Sequence, residues 1–248
     1  MITDRSLGPI ELPIKLSPSA LNNYDACKRR FYYSRKILRV DDREEPIFFK
    51  RGSEAHAVMD GTKTLDEISK EARTMAKKLI YVRDGLGITV KHTEVTQKWM
   101  LSDSIRYERR IDVLGHDKDG FGVIVDWKTA SQSWSTIGNI APKAMTWQTP
   151  GYLVPPPQEL LDEIGWVDPW PRRMIYIVGP LRGRGQSFPL DYDQLMMDDF
   201  WRLISDIEQS VKDEYFPKSP GYNCTFCPMG EICFDQEGWR DMYEPRTD

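Results

Sequence analysis

The chain has 248 residues, 29% of them charged and 40% hydrophobic, with a formal net charge of −4 and a pI of about 5.6. These values are ordinary for a globular protein and exclude a uniformly basic nucleic-acid coat, although they allow a local basic groove. No apolar stretch approaches the length of a membrane span and no secretory leader is recognisable, so we expect a cytoplasmic protein with reduced thiols and no membrane partner.

The N-terminal third is predicted to be helical after an extended lead-in over residues 1–16. Ser17 followed by Pro18 is a typical helix start, because the hydroxyl can cap the first turn and proline fits the first helical position. We predict helices over residues 17–37, 52–60 and 64–81, the last one closed by Asp84-Gly85.

The middle of the chain changes to strand-like patterning. Residues 89–101 are rich in β-branched side chains, which favour strands. The apolar runs 105–115 and 121–128 flank D-K-D-G, and an Asp-Gly pair between apolar runs is a strong hairpin signal. These segments predict a meander of antiparallel strands.

The last third returns to helices around one strand. We predict a helix over residues 143–153, a strand in R-M-I-Y-I-V and an amphipathic helix over residues 191–215. The whole order predicts a mixed α/β or α+β core, with a central sheet flanked by helices, in a single domain over residues 1–248. The sequence lacks G-x-x-x-x-G-K-[ST], which argues against an ATP motor within the chain.

Three chemically active residues share the predicted hairpin. Asp126 and Lys128 are two residues apart on one strand and therefore point to the same face, and Asp112 lies on the partner strand. Two carboxylates and an ammonium on one face suit phosphodiester hydrolysis, since carboxylates hold Mg²⁺ or Mn²⁺ and a lysine can orient the attacking water. The alternative is an ordinary ion pair between Asp126 and Lys128 at the edge of a sheet.

Four cysteines lie towards the two ends of the chain. Cys27 is near the N-terminus, whereas Cys224, Cys227 and Cys233 form a tight C-x₂-C-x₅-C. Four thiolates can bind one iron–sulfur cluster or one zinc ion, and a metal shared by all four would join the two ends.

The order of these motifs resembles the PD-(D/E)xK nuclease superfamily, and in particular its RecB-like branch. Asp112 and V-I-V-D-W-K are similar to that branch's core motif, Gln148 and Tyr152 match its Q-x-x-x-Y, and His56 in R-G-S-E-A-H matches its early-helix histidine. Ile111 stands where the motif has proline. The four cysteines are similar to the iron–sulfur clasp of CRISPR-associated RecB-like exonucleases and of AddB nuclease domains.

The resemblance implies a restriction-endonuclease-like fold and a role for each matched residue. Lys128 would handle the attacking water, and Gln148 and Tyr152 would position Lys128 or the scissile phosphate. Glu94 would be an auxiliary carboxylate. The implied metal ligands are His56, Asp112, Asp126 and the backbone carbonyl of Trp127. A lone helical histidine is otherwise more often a packing or surface residue than a ligand.

The resemblance also implies a [4Fe–4S] cluster held by Cys27, Cys224, Cys227 and Cys233, with Zn²⁺ as the alternative. The cluster would join a subregion made of residues 17–37 and 216–235. Its role would be mainly structural, because binding a metal to distant ligands is coupled to folding.

Basic residues near aromatic ones indicate DNA contacts, since basic groups follow phosphates and aromatic rings stack on unpaired bases. The candidates are Arg29 and Arg30 in the first predicted helix and Arg182 and Arg184 near a later strand. The alternative is an amphipathic helix with a solvated basic face, in which Phe31 belongs to the core.

Three functional hypotheses follow. The resemblance implies a metal-dependent DNA exonuclease acting on single-stranded ends with 5′→3′ polarity, in recombination, replication or CRISPR-type processing, as a homo-oligomer or with partners from those processes. The first alternative is an iron–sulfur DNA-binding or adaptor protein that does not cut, and the second is a zinc-stapled structural protein. The complete set of matched catalytic residues favours the enzyme.

Overall fold

The computed structural model describes residues 8–39, 47–133, 147–221, 224–225, 227–234 and 243–245. The chain divides into two compact units. The central unit comprises residues 44–99 and 109–197, and the end unit comprises residues 1–43, 100–108 and 198–248. The single nuclease domain over the whole chain stays a prediction. Within the described ranges, every helix is too short or too polar to cross a membrane.

A mixed sheet forms the middle of the central unit. Its strands are β3 (Thr89–Ser102), β4 (Ile105–His116), β5 (Gly122–Gln132), β6 (Arg173–Arg182) and β7 (Gln186–Asp191). Strands β4 and β5 are antiparallel, with Val113 opposite Val125, and β5 and β6 are parallel, with Asp126 opposite Tyr176. Strand β7 is antiparallel to β6, and β3 pairs with β4.

The predicted hairpin between β4 and β5 is confirmed. The Asp117 carboxylate accepts hydrogen bonds from the backbone N–H groups of Asp119 and Phe121, and Gly120 adopts a φ of 85° that a residue with a side chain would reach only with strain. The turn therefore fixes the register that places Asp112 and Asp126 near each other.

Helices cover both faces of this sheet. Met59 and Leu79 pack with Trp127 on one side, whereas Leu153 packs with Ile124 on the other. Neighbouring residues of β5 thus enter opposite cores, as the two-residue period of a strand requires. This arrangement confirms the predicted sheet flanked by helices. The helices are α3 (Ile47–Met59), α4 (Lys70–Leu86), α5 (Gln148–Leu153) and α6 (Gln158–Glu163).

The end unit is mainly helical. Tyr24 donates a hydrogen bond to the backbone carbonyl of Asp206, and its ring packs edge-on against Phe31, which is fully buried and stacks on Phe216. The core role weighed for Phe31 is therefore confirmed. Its elements are β1 (Ile14–Leu16), α1 (Pro18–Ala26), α2 (Lys28–Lys36), β2 (Ile37–Arg39), most of α7 (Gln194–Lys212), α8 (Gly230–Cys233) and β8 (Tyr243–Pro245).

The predicted helix over residues 17–37 is wrong in its continuity. It is interrupted at Cys27, which has an extended backbone and ends α1 while preceding α2. The predicted cap is confirmed, since the Ser17 hydroxyl accepts a hydrogen bond from the Ala20 N–H. The interruption turns the Cys27 side chain towards a pocket shared with the C-terminal cysteines.

The predicted helix over residues 64–81 is displaced towards the C-terminus. Thr64 and Glu67 form a reciprocal capping box around a single 3₁₀ turn, and α4 starts only after Ser69, whose hydroxyl caps it. The helix continues through Asp84-Gly85 and ends at Gly87, which adopts the left-handed conformation.

The helix predicted over residues 191–215 is also shorter. Asp191 belongs to β7, and the carboxylate of Asp193 caps α7 by accepting a hydrogen bond from the Met196 N–H.

Strand β7 was not predicted. It contains Pro189, which has no N–H to donate to a neighbouring strand, and β7 accordingly lies at the edge of the sheet. Residues 143–146 of the helix predicted over residues 143–153 lie outside the described part of the chain.

Candidate active site

The site begins where the β4–β5 pairing reaches Asp112. Asp112 precedes Val113, which pairs with Val125 of β5. The backbone N–H of Trp127 donates a hydrogen bond of 2.8 Å to the Asp112 carboxylate. The Asp112 side chain is only 15% exposed. A carboxylate in this position is held by the neighbouring strand, so its orientation is set by the sheet.

Asp126 and Lys128 lie on the same face of β5, as predicted. The Lys128 Nζ is 2.6 Å from an Asp126 carboxylate oxygen, and the side chain of Asp126 is 4% exposed. The ion pair weighed as an alternative therefore exists, but its carboxylate is buried and its lysine is only 25% exposed. Burying a charge pair is costly unless further groups compensate it, which argues against a chance surface contact. The Lys128 ammonium also lies 5.7 Å from the centre of the Tyr176 ring.

Helix α3 brings His56 to this site. The His56 Nδ1 is 4.0 Å from the Asp112 carboxylate. Gly52, one helical turn earlier, allows the close approach of α3, because a Cβ there would lie 2.8 Å from the Thr129 hydroxyl. The Gly in R-G-S-E-A-H is thus explained by the packing of α3 against β5.

A pocket of about 440 Å³ opens at these residues. Glu94 lines it and forms an ion pair with Arg110, and its backbone has a positive φ of 56°, which is unusual for a residue with a side chain. Strained backbone of this kind often occurs at functional sites. The described wall of the pocket consists of Phe48, Phe49, Gly52, Ser53, His56, Ala57, Asp60, Glu94, Arg110, Asp112 and Thr129.

Burial and mutual charge shift the ionisation of these groups. Burial raises the pKa of the Asp112 carboxyl to about 8, and the negative charge of Asp126 adds to the rise. Burial lowers the pKa of His56, opposed in part by Asp126, so the imidazole is neutral and able to bind a metal. A cation bound beside Asp112 would favour its ionised form.

The Q-x-x-x-Y residues sit on the short helix α5. The Tyr152 hydroxyl donates a hydrogen bond of 3.0 Å to the backbone carbonyl of Arg110. The amide oxygen of Gln148 is buried, and no hydrogen bond reaches it within the described residues. Tyr152 therefore links α5 to β4 by a hydrogen bond, whereas the Gln148 amide oxygen can still accept a hydrogen bond from a ligand. Whether either residue positions Lys128 stays a prediction.

Arg109 is a site-supporting residue that the sequence did not reveal. Its side chain is 1% exposed and donates hydrogen bonds to the backbone carbonyls of Gly151, Tyr152 and Val154 and to Gln97. Its guanidinium also lies 4.7 Å and 4.5 Å from two tryptophan ring centres, those of Trp99 and Trp170. Arg109 thereby satisfies the C-terminal carbonyls of α5, the helix that carries Gln148.

The acidic and imidazole side chains fit a divalent cation by their chemistry. Carboxylates and a neutral imidazole are ordinary ligands of Mn²⁺, and carboxylates suit Mg²⁺. As the side chains stand, no group of three or more His, Cys, Asp or Glu in the described ranges is gathered closely enough to hold an ion. Trp127 is buried, and a ligand role for its carbonyl stays a prediction.

The cysteines line one pocket of the end unit. Cys27, Cys224, Cys227 and Cys233 all contribute to its wall, together with the cationic side chains of Arg30 and Lys218, and all four thiols are free of disulfides. Burial raises the pKa of Cys233, the thiols of Cys27 and Cys227 add to the rise, and Lys218 opposes it. The chain therefore brings its N-terminal cysteine to the C-terminal group.

The four arginines predicted to contact DNA differ in their surroundings. Arg29 donates a hydrogen bond of 2.6 Å to the Phe216 carbonyl, and Arg30 lines the cysteine pocket. Arg182 and Arg184 are exposed around the turn between β6 and β7, where Gly183 has a φ of 92°. DNA binding by these four residues stays a prediction.

Comparison with known proteins gives one family. A model described as the PD-(D/E)XK nuclease superfamily matches residues 15–103 and 87–234. No curated protein matches the chain.

Two solved structures are similar to this chain. The crystal structure of SSO0001 shares 13% identity, with 93% of this chain and 91% of that chain covered and a TM-score of 0.46. A protein of Eubacterium rectale to which exonuclease activity is ascribed shares 11% identity, with 90% of this chain and 93% of that chain covered and a TM-score of 0.51. With the family model covering most of its length, the chain belongs to the PD-(D/E)XK nuclease superfamily, and its central sheet flanked by helices has the restriction-endonuclease-like fold.

Proposed function

We propose that this protein is a divalent-metal-dependent DNA exonuclease that acts on single-stranded ends, with 5′→3′ polarity. One observation carries the proposal: two carboxylates lie on neighbouring strands, the largely buried Asp112 and the buried Asp126, with a lysine 2.6 Å from Asp126 and an imidazole 4.0 Å from Asp112.

In this proposal His56, Asp112 and Asp126, with the backbone carbonyl of Trp127, hold Mg²⁺ or Mn²⁺. The cation would supply Lewis-acid polarisation of the phosphate and an activated water. Asp112 enters the site already oriented by the Trp127 N–H, so little side-chain freedom remains to be lost. His56 presents a neutral ring. Its position is set by α3, which packs against β5 at Gly52.

Lys128 holds the attacking water and stabilises negative charge that develops on the phosphate. Its present partner is Asp126 at 2.6 Å, and a cation taking that carboxylate would leave the ammonium available. Gln148, with its buried amide, orients the lysine or the phosphate, and Tyr152 holds the Gln148 helix against β4. Glu94, paired with Arg110 in the same pocket, acts as an auxiliary carboxylate.

The proposal extends to the cysteines, which we assign to a [4Fe–4S] cluster as in the RecB-like branch. All four thiols line one pocket, and the cations of Arg30 and Lys218 beside them would offset the negative charge of the cluster and its thiolates. Zn²⁺ is the alternative occupant, because four thiolates also suit tetrahedral zinc. The cluster would hold the ends of the chain together.

The DNA substrate and its cellular setting belong to the same proposal. Superfamily membership and the exonuclease activity ascribed to the Eubacterium rectale protein support an enzyme that cuts DNA ends. Recombination, replication or CRISPR-type processing would use such an activity, with a homo-oligomer or proteins of those processes as partners.

The decisive experiment compares wild type with Lys128→Ala on end-labelled single-stranded DNA. In Mg²⁺ or Mn²⁺, wild type should release nucleotides from the 5′ end, and the variant should be slower by about 100-fold or more while still binding DNA. Chelation should stop wild type. Tyr81→Ala, which removes an exposed ring from α4, is the control and should cut normally.

The competing function is a DNA-binding or adaptor protein that does not cut. It would be supported if wild type bound single strands but released no nucleotides at any divalent-ion concentration. Release of nucleotides from the 3′ end would contradict the proposed 5′→3′ polarity but not the nuclease activity.

A further inference from the structure

We propose that Phe48 and Phe49, at the start of α3, form a stacking site for one unpaired base of the strand being cut. The inference rests on the proposed nuclease function and deepens it, because it gives the active-site pocket a reason to accept single strands. It assigns a role to residues outside the catalytic motifs.

Both rings belong to the active-site pocket. Phe48 and Phe49 line the same cavity of about 440 Å³ as His56 and Asp112. Phe49 precedes His56 by two helical turns, a distance of roughly 10 Å along the axis of α3. A strand whose phosphate reached Asp112 would therefore pass the two rings.

The two rings are not explained by the core. Phe49 is 61% exposed and Phe48 is 37% exposed, whereas the buried residues of α3 are Gly52, Ala55 and Met59. The rings contact each other edge to face, with centres 6.2 Å apart and an interplanar angle of 68°. Exposing two neighbouring aromatic side chains at a pocket is costly for a folded chain unless a ligand covers them.

The rest of the pocket selects the occupant. The pocket is also lined by His56, Asp112 and the Glu94–Arg110 ion pair, groups that suit a phosphate and a cation. An apolar, aromatic wall beside a phosphate-binding wall fits a nucleotide, in which a flat base adjoins a charged backbone. Aromatic side chains bind the faces of unpaired bases with little sequence preference.

Pairing decides whether the base is available. In a duplex each base face is covered by its neighbours, so Phe48 and Phe49 could bind only after unstacking, which costs a few kcal/mol per step. Unstacking a base at the end of a single strand costs much less free energy. The site therefore favours single strands over duplex ends without reading any sequence.

The test compares the 248-residue protein with a Phe48→Ala/Phe49→Ala double variant. For single-stranded DNA the KM of the double variant should rise by about 5- to 100-fold, the range expected for losing one stacked base. The effect should appear in KM more than in kcat, because the rings would hold a base rather than the reacting phosphate. Phe48→Ala/Phe49→Trp should bring the KM back towards the wild-type value, and Tyr81→Ala, which removes an exposed ring on α4, should behave as wild type.

A fluorescent base analogue, 2-aminopurine, gives a direct readout. Placed near the end of a single strand, it should be quenched on binding to the Lys128→Ala protein and much less in the triple variant that also lacks both rings. Equal KM and equal quenching with and without the rings would overturn the stacking site while leaving the nuclease intact. A changed sedimentation coefficient of the double variant would overturn it in favour of a contact between copies.

The two proposals fail separately. If wild type cuts no single strands in Mg²⁺ or Mn²⁺, the nuclease function fails. If it cuts them and the double variant cuts them with the same KM, only the stacking site fails. Because both rings are exposed, unchanged circular dichroism and melting of the double variant should accompany these measurements.

Discussion

At the scale of single residues, the carboxylates of the candidate active site lower the stability of the metal-free protein. Asp126 is buried and Asp112 is only 15% exposed, and the negative charge of Asp126 adds to the burial that disfavours ionisation of Asp112. Such an arrangement destabilises the metal-free fold and becomes favourable once a cation binds.

Replacing Asp112 by Asn should therefore stabilise the metal-free protein. Asp112 favours unfolding at neutral pH, because its carboxyl ionises readily in the unfolded chain while its folded pKa is raised to about 8. Asn keeps an acceptor for the Trp127 N–H and cannot ionise, so the free energy of unfolding should rise by about 1–4 kcal/mol. Mn²⁺ at 100 times its Kd should add about 2.7 kcal/mol to wild type and little to the variant. Thermal melting with and without Mn²⁺ measures both effects. A variant that melts lower without metal would contradict the argument.

Arg109 shows the opposite relation, a buried charge that supports the site. Arg109→Met leaves three backbone carbonyls of α5 and its end without their donor, so we expect a loss of about 3 kcal/mol or more. Arg109→Lys should recover little, because an ammonium cannot copy the planar fork. Urea unfolding measures the loss. Arg106→Met, an exposed arginine of the same strand, is the control and should be nearly neutral.

At the scale of elements, close packing of α4 on the sheet depends on a residue without a side chain. Gly179 of β6 lies beneath α4, where a Cβ would be 2.6 Å from the Met75 carbonyl oxygen and 2.8 Å from the Leu79 Cγ. The backbone of a packed helix cannot yield cheaply, so the glycine sets how near α4 can lie.

Gly179→Ala should accordingly lower the free energy of unfolding by about 1–3 kcal/mol, the usual cost of overpacking. The matched control is Gly85→Ala within α4, where a Cβ meets nothing within 4 Å. That change should raise stability by about 0.5–1 kcal/mol, because alanine loses less backbone freedom in a helix. Chemical denaturation of the two variants should move in opposite directions; a neutral Gly179→Ala would show that α4 can shift.

At the scale of the whole molecule, the ends of the chain meet in one compact unit. Residues 1–43 and 198–248 both belong to it, and each contributes cysteines to the same pocket. Closing so long a loop costs entropy that a cluster bound by all four thiols would offset.

Cys227→Ser should therefore lose the iron–sulfur absorbance and melt at a lower temperature than wild type. Ser219→Ala, which changes the same pocket without removing a thiol, should keep both properties. Anaerobic purification followed by iron, sulfide and zinc analysis measures the occupant. One zinc per chain with no iron would contradict the cluster assignment and support the zinc alternative.

The sequence alone determined the local parts of this protein. Ser17 capped its helix, D-K-D-G closed its hairpin, and the two-residue spacing put Asp126 and Lys128 on one face, because each depends on neighbours a few residues away. Motif order also indicated the superfamily that the family model then matched.

Tertiary structure decided what depends on distant partners. The break at Cys27, the short β1 paired in parallel with β4, the edge strand around Pro189 and the buried Arg109 have no strong local signal. Their stabilising contacts join segments tens of residues apart, and no local propensity encodes such a contact. The approach of His56 to Asp112 is of this kind, because it exists only once α3 packs on β5 over Gly52.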